Sequence, residues 1–582
     1  MKVKRKQKRP YIVLFKNSLV NSFTRYTHIY AFVGMIIYLA LFQSKFLFGG
    51  DSWAESFYEY VQGALTGGWQ TFFTLGIAGY FNFLPKLFSY SYILLGAPIE
   101  HVDYFFRAIV ILYTVACISF IAHGYNRFLI KNDCIRVLFA FATLLILYHV
   151  SSFSFINVWY VGFIPIILIS LSPKRFEYEW QQILYAAFAM SVCFTKPSLI
   201  LIPLIIYRML RHKEYLLGAI ILFSAGLQSL LFFTSTYYET AIQTYTEHIP
   251  LYKKIGNAIL YPGLLTLKLY QLPPVQLVSV IGVTGLLGLL FAALVKIRGI
   301  VQALLIALTL GLLSYTAIYP PDAAPFSVVS SFNGLFSDEM KLQREVLVTF
   351  IIVLSLFTAG SYVFEKSRGR QSRLIKGSIV TFLLLLTILS FRTIDTQSSK
   401  LHVNIDPFRA SIGKNSAICM PIPPTTSWYP KNTAVYGWYY ESYGIGTCGK
   451  TNYDKQIDYA SFGKRKIGPG RDIIVVNEHK HEIKSILLPI YTPNPDRATN
   501  VSLKNARTGK AYMAPIESKS NGDHLTFVAF NLDGEGTEDT YKYRLAEPAT
   551  NSSKLSTGLF SDGRVAHYSY FLPPGLKHPN DK

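Results

Sequence analysis

The residues best placed to do chemistry are acids and cations at the ends of long apolar runs. Gly49-Gly50-Asp51-Ser52-Trp53-Ala54-Glu55 follows directly on such a run. If the chain is helical from Asp51, then Asp51, Glu55 and Glu59 share one face at i, i+4 and i+8. A carboxylate at a water–lipid boundary can act as general base toward a hydroxyl. Asp51 and Glu55 are therefore the candidate catalytic pair, with Trp53 beside them as a candidate substrate contact. The same spacing also suits an N-capping Asp with solvated glutamates behind it.

Cations supply the complementary half. Lys86 ends the aromatic stretch Gly79-Tyr80-Phe81-Asn82-Phe83-Leu84-Pro85-Lys86, where Tyr80 could also contact substrate. Lys196 lies in the turn Thr195-Lys196-Pro197-Ser198, and Lys341 and Arg344 precede a later apolar run. A lysine meets a phosphate as a point charge and an arginine as a fork. Each could equally anchor to lipid headgroups. Asp103 and Arg107, with His101 and Glu100 nearby, form a reserve set. An acid for the acceptor and cations for a leaving phosphate are the inventory for transfer from a phosphate-linked donor. No Walker-type glycine loop, zinc-type His/Glu cluster or nucleophile elbow is present in the sequence.

The elements that must hold these groups are membrane helices. The chain has 582 residues, 51% hydrophobic and only 15% charged, against roughly a quarter charged in soluble domains. Apolar runs fall near Ile29–Leu47, Tyr104–His123, Val137–His149, Phe155–Leu171, Ile183–Thr195, Leu199–Met209 and Leu216–Phe233. Others fall near Val275–Val295, Ile300–Tyr319, Val346–Phe364 and Ile379–Phe391. This predicts a polytopic α-helical membrane protein of about eleven spans.

The net charge of +22 sits in the basic N-terminus and in alternate short loops. These loops carry Arg127, Lys131 and Arg136; Lys174 and Arg175; Arg208, Arg211 and Lys213; Lys296 and Arg298; and Lys366, Arg368, Arg370, Arg373 and Lys376. That is a positive-inside pattern, with the N-terminus cytoplasmic, and not a nucleic-acid surface. Residues 1–28 read as a basic cytoplasmic arm. Residues 29–391 read as the transmembrane domain, whose outer loop 49–103 carries interfacial helices. Phe72–Leu95 is apolar enough to pass for a span, but counting it would put the basic loops outside. It is therefore assigned to the interface.

Residues 392–582 change character, with Gly, Pro and Asn clusters between short alternating runs such as Asp472–Val476 and His524–Asn531. This predicts a β-rich soluble domain, extracytoplasmic because an odd number of spans precedes it. Cys419 and Cys448 could pair there, closing a loop of about thirty residues worth ~3–4 kcal/mol. Cys117, Cys134 and Cys193 lie in or beside apolar segments.

With Asp51 opening the first outer loop, the Gly79–Lys86 segment, the Thr195–Ser198 turn and the outward C-terminal domain, the chain resembles the GT-C superfamily of membrane glycosyltransferases. It is most similar to the bacterial branch using polyprenyl-phosphate sugars. The resemblance implies transfer of a sugar from the lipid carrier to a glycan or lipid acceptor at the outer face of the inner membrane, in cell-surface polysaccharide synthesis or modification. Asp51 would be the base, and Lys86, Lys196 and Arg344 the donor-phosphate contacts. No cofactor is implied. Where family members carry two adjacent acids, this chain has Asp51-Ser52, which leaves use of a divalent cation such as Mg or Mn open. A flippase of lipid-linked sugars remains an alternative, as does a polymerase or ligase of the O-antigen type. Mid-span charges and inverted repeats would mark a transporter, and neither is evident in the sequence.

Overall fold

The computed structural model describes residues 11–48, 60–74, 81–97, 101–147, 154–195, 199–234, 291–318, 345–368 and 372–398, with scattered helical positions between 256 and 288. Beyond these it describes the strands of the C-terminal region and the turn between two of them.

Helices form where the apolar runs predict them. α1 (Tyr11–Phe42) carries the first run and bends at Tyr26, whose φ/ψ of −118°/28° leave the helical region. α2 (Ser44–Phe48) follows. α3 (Gln62–Gly67) passes into a 3₁₀ turn, Gly68–Phe73, and α4 (Phe83–Leu94) comes next. α5 (Val102–Ser119) and α6 (Asp133–Leu147) take the second and third runs. A 3₁₀ segment, Val158–Gly162, leads into α7 (Phe163–Leu171). α8 (Glu179–Cys193), α9 (Ile202–His212) and α10 (Tyr215–Phe233) follow. α11 (Ile300–Ile318), α12 (Glu345–Lys366) and α13 (Ser372–Ser398) complete the helical part. The predicted run Val275–Val295 lies largely outside the described residues.

Among the described residues, three helical segments are long and apolar enough to cross a membrane: Val102–Phe128, Val346–Lys366 and Ser372–Leu389. Four shorter apolar helices accompany them, over Tyr26–Phe42, Val158–Leu171, Tyr215–Leu231 and Ile300–Ser314. The Phe72–Leu95 stretch is not one helix. α4 has 12 residues, about 18 Å at 1.5 Å per residue, well short of a ~30 Å hydrocarbon core.

One apolar core runs through this bundle. Its centre is the segment Val158–Leu171, in which every residue but Ile169 is buried. Such an all-apolar helix belongs inside. Gly162 lets its neighbours close in, because a Cβ there would collide with the Tyr113 hydroxyl of α5 and with Val192 of α8. α12 is likewise central, with 83% of its apolar window buried. α13 is peripheral, with 17% buried.

The C-terminal region is β-rich, as its alternating runs predict. β1 (Ser416–Ile422), β2 (Tyr436–Glu441) and β3 (Gly444–Thr447) form an antiparallel ribbon. β4 (Asp472–Val476) pairs elsewhere. β5 (Ile483–Thr492) lies beside β8 (His524–Glu535) on one edge, and beside β10 (Ser556–Thr557) and β11 (His567–Phe571) on the other. β11 joins β1, so these strands make one seven-stranded sheet. β6 (Thr499–Asn505), β7 (Ala511–Ile516) and β9 (Thr540–Ala546) join β4 in a second, in the order β4-β9-β6-β7. A single apolar cluster draws on both: Ile486, Leu488 and Phe530 from the first, Val475, Leu503 and Tyr543 from the second. The i, i+2 spacing of Ile473/Val475, Val501/Leu503 and Tyr541/Tyr543 puts one face of each strand inward.

Candidate functional site

The best-defined part of the predicted site is the start of α4. Asn82, its N-cap, is left-handed at φ 50°, ψ 43°, a conformation Asn tolerates better than most residues. The Asn82 side chain makes no capping bond. Instead the Leu84 N–H, buried in the first turn, donates to the Thr195 hydroxyl at 3.0 Å. Thr195 in turn donates to the Ser191 carbonyl at 2.8 Å, at the end of α8. Pro85 removes another N–H that would need a partner. A residue 111 positions away thus caps this helix. Phe81 meets the Phe194 ring edge-on at 5.5 Å between centroids and strengthens the same junction. The two segments singled out in the sequence, Gly79–Lys86 and Thr195–Ser198, therefore meet at their described ends.

Lys86 sits one turn into α4 and is 2% exposed. A snorkelling lysine keeps its ammonium in water. Here Nζ donates to the Thr74 carbonyl at 2.5 Å and to its hydroxyl at 3.1 Å. Thr74 closes the 3₁₀ turn Gly68–Phe73 in an extended conformation, so the ammonium also satisfies a helix-end carbonyl. The lysine thereby ties the first turn of α4 to Thr74.

Aromatic rings form the floor beneath α4. Phe88 stacks on Trp159 at 5.6 Å, Trp159 meets Phe155 edge-on at 5.7 Å, and Phe155 stacks on Phe106 at 3.8 Å. Tyr92 contacts Phe105 at 4.9 Å, which ties the last turn of α4 to the first turn of α5. Asp103 and Arg107 are buried on α5, at 3% and 7% exposure. Asp103 Oδ1 accepts the Tyr104 N–H at 2.9 Å. They flank Phe105, whose α4 partner Tyr92 lies six residues past Lys86, about 9 Å along the helix.

Asp51, Trp53, Glu55, Tyr80, Lys196, Lys341 and Arg344 lie outside the described residues, as does Cys448. Cys419 lies on β1 opposite Tyr439. β2 stands between it and the strand that ends one residue before Cys448. Cys117 and Cys193 are buried, and Cys134 is exposed. Among the described residues no group of three or more His, Cys, Asp or Glu could hold a metal ion.

The basic loops contain buried groups that charge counting did not anticipate. Arg208, on the last turns of α9, has no exposed side-chain surface. It donates to the Ile169 carbonyl at 2.7 Å, to the Lys174 carbonyl at 3.2 Å and to Glu214 at 2.8 Å. Glu214 also accepts the Phe176 N–H at 3.0 Å, and Phe176 lies under the guanidinium at 4.5 Å. Arg298 donates to the Leu171 carbonyl and stacks over Phe128 at 4.8 Å. Burial, with Arg211 nearby, brings its guanidinium down to about 10, so it stays charged at neutral pH. The His212 ring lies 3.2 Å from the Ser172 carbonyl. Three basic side chains therefore gather at the carbonyl end of α7, where a helix presents unpaired acceptors and partial negative charge. The only trace of this in the sequence is Glu214, a lone acid inside a basic loop.

Arg136, in the first turn of α6, plays a similar part. It is 1% exposed, pairs with Asp133, and donates to the carbonyls of Ile130 at 2.7 Å and Lys131 at 3.1 Å. Burial lowers its pKa, and Asp133 opposes that shift.

Comparison with family models, curated proteins and solved structures finds no match for this chain.

Proposed function

We propose that this chain is a glycosyltransferase of the GT-C kind, moving a sugar from a polyprenyl-phosphate carrier to a glycan or lipid acceptor at the outer face of a bacterial inner membrane. In this reading it has about eleven spans, a cytoplasmic N-terminus and an extracytoplasmic β-rich domain. The reaction joins an acceptor hydroxyl oxygen to the sugar's anomeric carbon. The bond from that carbon to the carrier phosphate breaks, and polyprenyl phosphate leaves with the electron pair. Asp51 takes the acceptor proton, with Glu55 beside it. Lys86, Lys196 and Arg344 offset the charge building on the leaving phosphate.

The observation that carries the reading is the Leu84–Thr195 hydrogen bond. It joins the segment ending in Lys86 to the residue preceding Lys196, two lysines that sequence alone separates by 110 positions. The buried ammonium of Lys86, beside an aromatic floor, suits a donor group that must be withdrawn from water.

The test uses purified full-length protein with a polyprenyl-phosphate sugar and an acceptor glycan. Release of polyprenyl phosphate together with a new glycosidic bond is the expected result. An Asp51→Asn variant at normal membrane abundance should lose that release. Full activity in the variant would remove Asp51 from the mechanism. Movement of the intact lipid-linked sugar across vesicles with no glycosidic product would overturn the whole reading.

A further inference from the structure

A groove of about 410 Å³ lies between α6, α12 and α13, at the end of the bundle where the basic loops gather. Its walls are apolar and include Leu138, Phe141, Phe364, Leu383 and Leu384, with the exposed thiol of Cys134 at one end. We infer that this groove holds one acyl chain of an anionic phospholipid, whose headgroup rests among the cations at its mouth.

Size, place and charge argue for that occupant. From Asn132 to Phe141 the groove runs nine residues along α6, about 13 Å. That is close to the depth of one leaflet of a ~30 Å hydrocarbon core. α12 and α13 are two of the three segments able to cross a membrane, and α13 presents most of its surface outward. A lipid chain can therefore enter from the side.

The mouth is cationic. The Lys376 ammonium lies 5.4 Å from the ring of Phe364, itself a wall of the groove, and Lys366 lies 5.8 Å from the Tyr362 ring. Lys131 reaches Glu365 at 3.6 Å, and Arg127 reaches Asp133 at 3.3 Å. Asp133 and Glu365 are the acids among the described residues of 127–136 and 362–376. Arg127, Lys131, Lys366, Arg368, Arg373 and Lys376 are the cations there that are not buried, Arg136 being spent inside the fold. This excess suits a phosphodiester headgroup with net negative charge. A zwitterionic headgroup would gain little from it. Each lysine near an anionic headgroup is worth about a fivefold gain in affinity. The inference does not depend on the transferase reading.

Cys134 reports on occupancy. The full-length protein is placed in nanodiscs of phosphatidylcholine, with or without phosphatidylglycerol, and treated with an uncharged maleimide. Modification at Cys134 is read by peptide mass spectrometry. Phosphatidylglycerol should slow Cys134 labelling about fivefold or more. A Lys366→Gln/Lys376→Gln variant, altered only at surface cations, should lose that difference. Equal labelling in the two lipids overturns the inference, and so does a difference that survives in the double variant. Protection that appears in both lipids and rises with the number of chains per disc means a second copy fills the groove, and also overturns it.

Discussion

Thr195 uses one hydroxyl for two bonds, accepting from the Leu84 N–H and donating to the Ser191 carbonyl. Replacing it with valine keeps the shape and removes both. The Leu84 N–H would then be buried without an acceptor, a loss of about 1–3 kcal/mol. Thr195→Val should lower the unfolding midpoint of the detergent-solubilised protein, and it should also slow transfer if the two lysine-bearing segments must stay joined. Thr195→Ser keeps the oxygen and should restore both. Lys86→Met separates position from charge. It strips the ammonium from Thr74, and under the proposed chemistry it should reduce release of polyprenyl phosphate by about 10²–10³-fold. An unchanged rate would make Lys86 a purely structural lysine. The residue types were legible in the sequence, since Lys86 and the Thr195 turn both stand out there. The Leu84–Thr195 bond that joins the two segments was not, because it is a tertiary contact with no local spacing to announce it. The sequence left snorkelling open for Lys86, and only its burial decides against that.

Buried α7 poses a problem at the level of the element. Its carbonyl end must be satisfied inside the protein, and Arg208, Arg298 and His212 do so. In the sequence Arg208 and Arg298 mark a side of the membrane, and the use of all three as a cap depends on helices far apart in the chain. Arg208 and Glu214 are both without exposed side-chain surface. Breaking such a pair strands a buried charge, at about 3–5 kcal/mol. Arg208→Met should therefore lower the thermal midpoint sharply. Adding Glu214→Gln removes the stranded charge, keeps an acceptor for the Phe176 N–H, and should recover part of the loss. No recovery would mean that the lost bonds to Ile169 and Lys174 dominate. His212 adds a pH dependence. Burial, with Arg208 next in weight, lowers its pKa below the ordinary value. A lowered histidine favours the folded state fully only above its unfolded pKa of about 6.5. As pH falls below that, the unfolded chain takes up the proton first and stability is lost. The fall in midpoint between pH 7.5 and 5.5 should be smaller in His212→Gln than in the parent. An equal or larger fall would contradict the assignment.

Two separate apolar cores mark a helical part and a β-rich part; the sequence placed the change at residue 392, and α13 runs on to Ser398. Periodicity found the helices because apolar runs are local. It could not tell a spanning helix from a buried one, and Val158–Leu171 is apolar whether its neighbours are lipid or protein. The parity of spans therefore turns on Phe72–Leu95. In the structure this stretch is broken: Thr74 is extended, Asn82 is left-handed, and α4 is only 12 residues long. At about 18 Å α4 falls short of ~30 Å of hydrocarbon, but α9, at 11 residues, is shorter still, so the assignment of this stretch to the interface rests on the loop charges. The N-terminal turn of α4 is also held by Thr195, which fixes it to the end of α8. If the stretch does not cross, residue 97 remains on the side reached after the first apolar helix. The basic loops then all share the N-terminal side, and the β-rich domain lies opposite. Alkaline phosphatase fused after Ala97 should be active, and so should phosphatase fused at Lys582, because that enzyme matures only outside the cytoplasm. Green fluorescent protein at either point should stay dark. Fluorescence after Ala97 would make Phe72–Leu95 a span and put Lys86 inside the bilayer, away from Asp51 at the boundary. The base and the phosphate contact could then no longer act on one bond.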